Sequence, residues 1–157
     1  MPLFAKGGST GTPFGPREFL RSTNPKPITE SYIVAATSVP ARTIDGNAGQ
    51  KILQPGTAMA KITTAAGTST ADDVGKIGPF QAGVTDGRQL VANLVGLDLT
   101  FLPWQLINGD REVSVVVNGT AVQSWCVELD AGGVEIALAN TTADAMRGGK
   151  RLDINFS

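Results

Sequence analysis

A chain of 157 residues with 41% hydrophobic and 17% charged side chains is long enough to bury one core and too short for two full domains. That balance is too apolar for a disordered protein and too lightly charged for a coiled coil or exposed helical repeats, and its neutral surface suits a protein that other subunits cover. A net charge of −1 gives no general pull toward nucleic acid or an anionic membrane, and the lack of any histidine removes the commonest general base, the histidine-dependent nucleophile systems and the commonest metal ligand together.

Residues 1–30 read as an extended N-terminal arm. Pro2, Pro13, Pro16, Pro25 and Pro27, interleaved with Gly7, Gly8, Gly11 and Gly15, deny this stretch a regular helix or a central strand. Residues 1–27 carry a charge of +3 and the remainder −4, so a basic arm leads an acidic body. Such an arm is either a solvated end or one that docks on an acidic neighbour. Phe4, Phe14, Phe19 and Leu20 recur in it as isolated apolar residues, which either fold back on their own domain or insert into a partner.

Residues 31–157 read as a single β-rich domain. Ser31 to Val39 predicts the first strand, ended by Pro40, and residues 41–50 a polar turn region. Pro55-Gly56 is a type II turn signal with a short strand expected on either side. The small, polar run 65–76 predicts an exposed loop with Asp72 and Asp73 solvated. Residues 89–95 fit helix or strand, whereas Leu97, Leu99 and Phe101 alternate with Asp98 and Thr100 as a strand does, with Gly96 marking a bulge. Asn118-Gly119, between apolar runs at 112–117 and 120–129, predicts a hairpin. Within its second strand Trp125, Val127 and Leu129 share one face. A turn at Gly132-Gly133, an alternating run at Val134, Ile136 and Leu138, a short helical turn capped by Thr142 and closed by Gly148-Gly149, and a last strand with Leu152, Ile154 and Phe156 on one face complete the pattern. Seven to nine short strands with little helix predict a mainly β domain, a small barrel or sandwich.

No reactive centre emerges. Cys126 is expected as a core thiol, and one cysteine without histidine cannot assemble a zinc site. Acid-only chemistry needs convergent carboxylates, but Asp72-Asp73 reads as a surface pair and Asp86-Gly87-Arg88 as a tight turn. Neither GGSTGT (7–12) nor GGKR (148–151) matches a phosphate-binding loop. No catalytic residue, cofactor or metal is therefore expected, and basic residues are not interleaved with aromatics as a nucleic-acid-binding sheet requires. No signal-peptide pattern opens the chain and no run approaches the roughly 18 apolar residues of a membrane span, so synthesis in the cytoplasm is expected.

The order of these segments resembles the lambda-type phage head decoration family. KILQPGTAMAKI (51–62) is similar to that family's opening body motif, GPFQAGVTDGRQ (78–89) to its variable loop, ANLVGLDLTF (92–101) to its central glycine-containing strand and GDREVSVVVNGTAVQSWCVEL (109–129) to its Val-rich hairpin. The stretch DGRQLVANLVGLDLTFLPWQL (86–106) also resembles decoration or minor capsid proteins of phages infecting actinobacteria. The resemblance covers residues 50–157, and the chain departs from it at Trp104, at Trp125 and in its longer arm. It implies a β-tulip-like domain that forms a homotrimer on the exterior of the virion, binds the major capsid protein and stabilises the expanded head as a cement protein, with neighbouring decoration subunits as further contacts. Phe4, Phe14 and Phe19 are the expected anchors, with Arg17 and Arg21 facing capsid acids; these five follow from the arm's composition and not from a family motif. The competing readings are another virion component, such as a head fibre base or a tail-related β protein, and a trimeric carboxylate-dependent hydrolase.

Overall fold

The computed structural model describes residues 19–20, 27–103, 105–147 and 152–157. The expected mainly β architecture is present. Ten strands are described: β1 (Ile28–Val34), β2 (Arg42–Ile44), β3 (Asn47–Gln50), β4 (Ala58–Lys61), β5 (Ile77–Pro79), β6 (Leu94–Asp98), β7 (Arg111–Ala121), β8 (Val127–Leu129), β9 (Glu135–Ala137) and β10 (Asp153–Phe156), with one α-helix, α1 (Asn140–Met146).

Six strands form a mixed sheet in the order β1-β5-β4-β6-β7-β10, and β1 also pairs with β7. That additional pairing closes β1, β5, β4, β6 and β7 into a ring. The closing ladder is antiparallel and runs from Ile28 opposite Asn118 to Val34 opposite Arg111. Its counterpart, β1 against β5, is parallel and rests on the single pair Val34 and Ile77. Closure pairs both sides of these five strands, and among the described residues β10 stays at an edge, paired only with β7.

Two apolar clusters occupy the two sides of this ring. Val34, Met59, Ile77, Val95, Val113 and Val115 belong to one cluster and together draw on all five ring strands, so that cluster fills the interior. The other contains Ala58, Ala60, Leu94, Leu97 and Val116 from the sheet, with Ala143, Met146, Ile154 and Phe19 packed outside them. Neighbours in sequence thus feed opposite sides, as a period of two demands. Gly96 is the exception that lets β6 do so. The register of β4 and β6 shifts between Met59 and Ala60, so Gly96 is the bulge expected from the sequence. It has a φ of +136°, and a Cβ there would lie 2.1 Å from the Val116 carbonyl oxygen.

The predicted Asn118-Gly119 hairpin is absent. Neither residue has a positive φ, and β7 continues straight through both. Asn118 pairs with Ile28 on one side and with Asp153 on the other, so two long-range partners claim the backbone groups that a local turn would have used. A positive-φ pair instead occurs at Asp45 (51°) and Gly46 (79°), where β2 and β3 form an exposed hairpin in what the sequence reading took for a polar turn.

Other boundaries move as well. The first strand covers 28–34 and not 31–39, because residues 36–38 turn into a short 3-10 helix; the barrel therefore begins inside the segment read as arm. Residues 89–95, left open above, split into a 3-10 turn at Val91–Asn93 and the start of β6. The second arm of the expected hairpin breaks into the end of β7, a 3-10 turn at Gln123–Trp125 and β8. Thr142 does not cap α1: it lies within the helix, and its hydroxyl donates to Glu128 Oε1 (2.9 Å), which also accepts from the Ala139 N–H (2.7 Å). The Pro55-Gly56 turn forms as predicted, with Gly56 at +85° and Thr57 N donating to the Gln54 carbonyl at 3.3 Å, and Cys126 is buried. Leu152, Ile154 and Phe156 all pack on the outer cluster, as their alternation implied, while Gly148 and Gly149 lie outside the described residues.

The two strand glycines should respond differently to alanine. Gly96→Ala drives a methyl into a carbonyl at a forbidden φ and should cost about 3 kcal/mol or more, whereas Gly119→Ala, in ordinary strand conformation, should cost no more than about 1 kcal/mol. Urea unfolding of both variants measures this. Equal losses would mean that β7 does not run through residue 119 as described.

Candidate functional site

Three of the arm residues expected to contact a partner, Phe4, Phe14 and Arg17, and a fourth, Arg21, lie outside the described residues. Phe19 is described, and its expected role needs correction. Its side chain is 1% exposed within the outer cluster. Its carbonyl accepts from the Val122 N–H at 2.9 Å, and Leu20 bridges to Ala121. Burying the ring against its own domain already satisfies Phe19, so it roots the chain and cannot anchor a partner.

The acids also depart from expectation. Asp72 is exposed, but Asp73 is buried. Burial alone would raise its pKa; hydrogen bonds from the Thr70 N–H (2.9 Å), the Thr37 hydroxyl (2.7 Å) and the Thr70 hydroxyl, aided by Lys76, outweigh that and hold it below the ordinary range. Asp73 thus closes a capping box on the turn at 71–73 and is not a solvated surface acid.

Asp86 and Arg88 are more than a tight turn. They form a buried ion pair, 1% and 2% exposed, with Arg88 Nε 2.9 Å from Asp86 Oδ2 and 3.1 Å from Oδ1. The Ser69 hydroxyl donates to Oδ2 at 2.6 Å, and Arg88 Nη1 donates to the carbonyls of Ser38 and Pro79, each at 3.1 Å. Desolvation pushes the Asp86 pKa up, yet the donors from Ser69 and Arg88 win and keep the carboxyl below its usual range. Two glycines make room for the pair. A Cβ on Gly78 would meet Arg88 Cδ at 2.9 Å, and one on Gly87 would meet Thr63 Oγ1 at 2.1 Å.

Above this pair lies a cleft of about 350 Å³, floored by Arg88 and Gln81 and walled by loops 37–40, 66–68, 83–85 and 131–133. Its volume is at the lower end of the range of small-ligand sites. It contains no second carboxylate with which Asp86 could share acid–base work, and among the described residues no three His, Cys, Asp or Glu side chains converge as a metal site would need. The arrangement can position a bound group by hydrogen bonds.

Asp98 is the remaining unusual group, one that the sequence reading treated only as the polar half of an alternating strand. It faces the ring interior beside Val115, is 0% exposed and accepts one bond, from the Thr100 N–H at 3.2 Å, while its Oδ2 has no partner. Its backbone holds the Pro55-Gly56 turn, accepting from Gly56 N at 2.7 Å and donating to the Thr57 carbonyl at 2.9 Å. An enclosed, half-satisfied carboxyl is unreachable by substrate, so its consequence is thermodynamic.

No family model matches the chain, and no curated protein or solved structure matches it. Among the described residues no helix is long and apolar enough to cross a membrane.

Burial raises the Asp98 pKa well above the ordinary value, against the smaller opposing pull of the Thr100 N–H. An unfolded aspartate releases its proton near pH 4. From there up to the folded pKa the unfolded chain has lost a proton that the folded chain keeps, so stability falls as pH rises through that window. Asp98→Asn removes this penalty. Its thermal midpoint should exceed that of the parent by about 3–8 °C at pH 8, with the gap closing toward pH 4; a gap that does not change with pH would contradict the assignment.

Proposed function

We propose that the chain is a structural virion protein of the head-decoration kind. It forms a homotrimer on the outer surface of the expanded phage head, binds the major capsid protein there and performs no catalysis.

The observation that carries this reading is β9. In the described residues it pairs only with β8, which is itself stitched to the barrel by bridges from Thr57 and Gln81. It is therefore an edge strand, flanked and lined by Val134 (60% exposed) and Ile136 (42% exposed). Of the alternating residues Val134, Ile136 and Leu138, only Leu138 is buried. An exposed apolar edge invites association, and proteins that do not use such an edge blunt it with charge or cover it. Leu90 and Val91, consecutive and each about half exposed, add a second apolar patch to a chain poor in charge.

The mechanism is a clamp. Head expansion brings capsid subunits into the spacing that a trimer can bridge, and binding that requires the expanded state stabilises it by mass action. Three linked contacts per trimer hold where one would dissociate. With Phe19 in the core, the arm that reaches the capsid is residues 1–18, which can span at most about 60 Å. Phe4 and Phe14 are its apolar anchors, and Arg17 and Arg21, on either side of the root, are the basic contacts. An extended segment of this kind binds by adding a strand to a capsid edge.

Sedimentation of the purified chain should give a species three times the 16.3 kDa protomer mass. Val134→Lys/Ile136→Lys should stay folded but sediment as a monomer, and deletion of residues 1–18 should leave the trimer intact while weakening binding to expanded heads at least tenfold. A monomeric parent, or full head binding without residues 1–18, would contradict the proposal. A dozen or fewer copies per particle would instead assign the chain to a fibre base or tail part.

A further inference from the structure

The cleft over Asp86 and Arg88 has a feature that neither barrel stability nor capsid clamping requires. Arg88 uses Nε and Nη1 within the protein, but its Nη2 has no partner there, and neither has the side-chain amide of Gln81. Neither group is among the buried unsatisfied atoms, and both residues line the cleft. Both residues are more than nine-tenths buried. Polar groups of two such residues, aimed into a cleft, are placed to hydrogen-bond a group bound there. On the rim the N–H groups of Gly83, Val84 and Thr85 also donate to nothing among the described residues.

The walls narrow what that occupant is. Asp86 already neutralises Arg88, and no other charged side chain lines the cleft, so the site has donors without net positive charge and no particular attraction for an anion. No aromatic side chain lines it either, so it lacks the stacking platform that sugars and nucleobases use. Gly67, Gly83, Gly132 and Gly133 form much of the rim, and side-chain-free walls let another backbone come close. A neutral group with a carbonyl acceptor and an N–H donor fits this set: Arg88 donates to the first, and Gln81 accepts from the second.

We infer that this cleft binds the main-chain amides of a short peptide segment built of small residues. The barrel's own GGSTGT, residues 7–12, has the required composition and supplies the probe. The inference does not depend on the decoration reading, since its test needs no capsid.

The test is a titration of the full ¹⁵N-labelled chain with acetyl-GGSTGT-amide, followed by amide chemical shifts, alongside sodium acetate and glucose at the same concentrations up to about 10 mM. The peptide should shift the Gln81 side-chain amide and the backbone amides of residues 83–85, and the two small molecules should not. Gln81→Leu, which keeps the volume and removes the amide, should raise the peptide Kd about fivefold, the loss of one hydrogen bond. Ala131→Trp, on the exposed rim, should fill the cleft and abolish the shifts without disturbing the Asp86–Arg88 pair. Absent shifts, shifts that survive Ala131→Trp, or an equal response to acetate would each overturn the assignment.

Discussion

The fold depends on one ladder. β1 and β7 pair from Ile28 and Asn118 to Val34 and Arg111, joining strands more than 75 residues apart in sequence and turning an open sheet into a ring. Without that ladder β1 would hold to the sheet through Val34 and Ile77 alone. The interior cluster, which takes a side chain from every ring strand, would then open to water. The ring also sets what is possible at its centre. A barrel this small is filled by its own side chains, so Asp98 sits enclosed among them, with its pKa raised by burial.

What the sequence disclosed, and what it concealed, divides along the same line. Features decided within a few residues were legible: the Gly56 turn, the Gly96 bulge and the single inward face of Leu152, Ile154 and Phe156. Features decided by distant partners were not. Asn118-Gly119 carries a strong local turn signal, yet β1 and β10 lie on either side of it and claim its backbone, while the weaker-looking Asp45-Gly46, with no such competitors, makes the positive-φ turn. Phe19 looked like part of an extended arm because its neighbours are proline and glycine; only the groove beside Gly56 and Ala121 identifies it as core. Val134 and Ile136 alternate as buried residues do, but β9 is the last strand of its small sheet and nothing among the described residues covers it.

The cleft was the least legible feature. Asp86-Gly87-Arg88 reads locally as a turn, and it is one, with Gly87 at +102°. Its second role arises because the Arg88 stem passes over Gly78 to reach the Ser38 carbonyl, and because Ser69, Gln81 and the 131–133 turn converge on the same place. No spacing rule links those positions. One signal was available: aspartate and arginine two residues apart, flanked by glycine in an otherwise lightly charged chain, are costly to bury unless they meet.

The path of β7 is the claim on which the ring, the buried acid and the cleft all stand, and cross-strand nuclear Overhauser effects with amide exchange across residues 111–121 measure it most directly. The account predicts contacts from Tyr32 to Val113 and from Asn118 to both Ile28 and Asp153, with slow exchange persisting through Val116 and Val117. Contacts between Val117 and Thr120 across a tight turn, with no signal from Ile28 to Asn118, would contradict it.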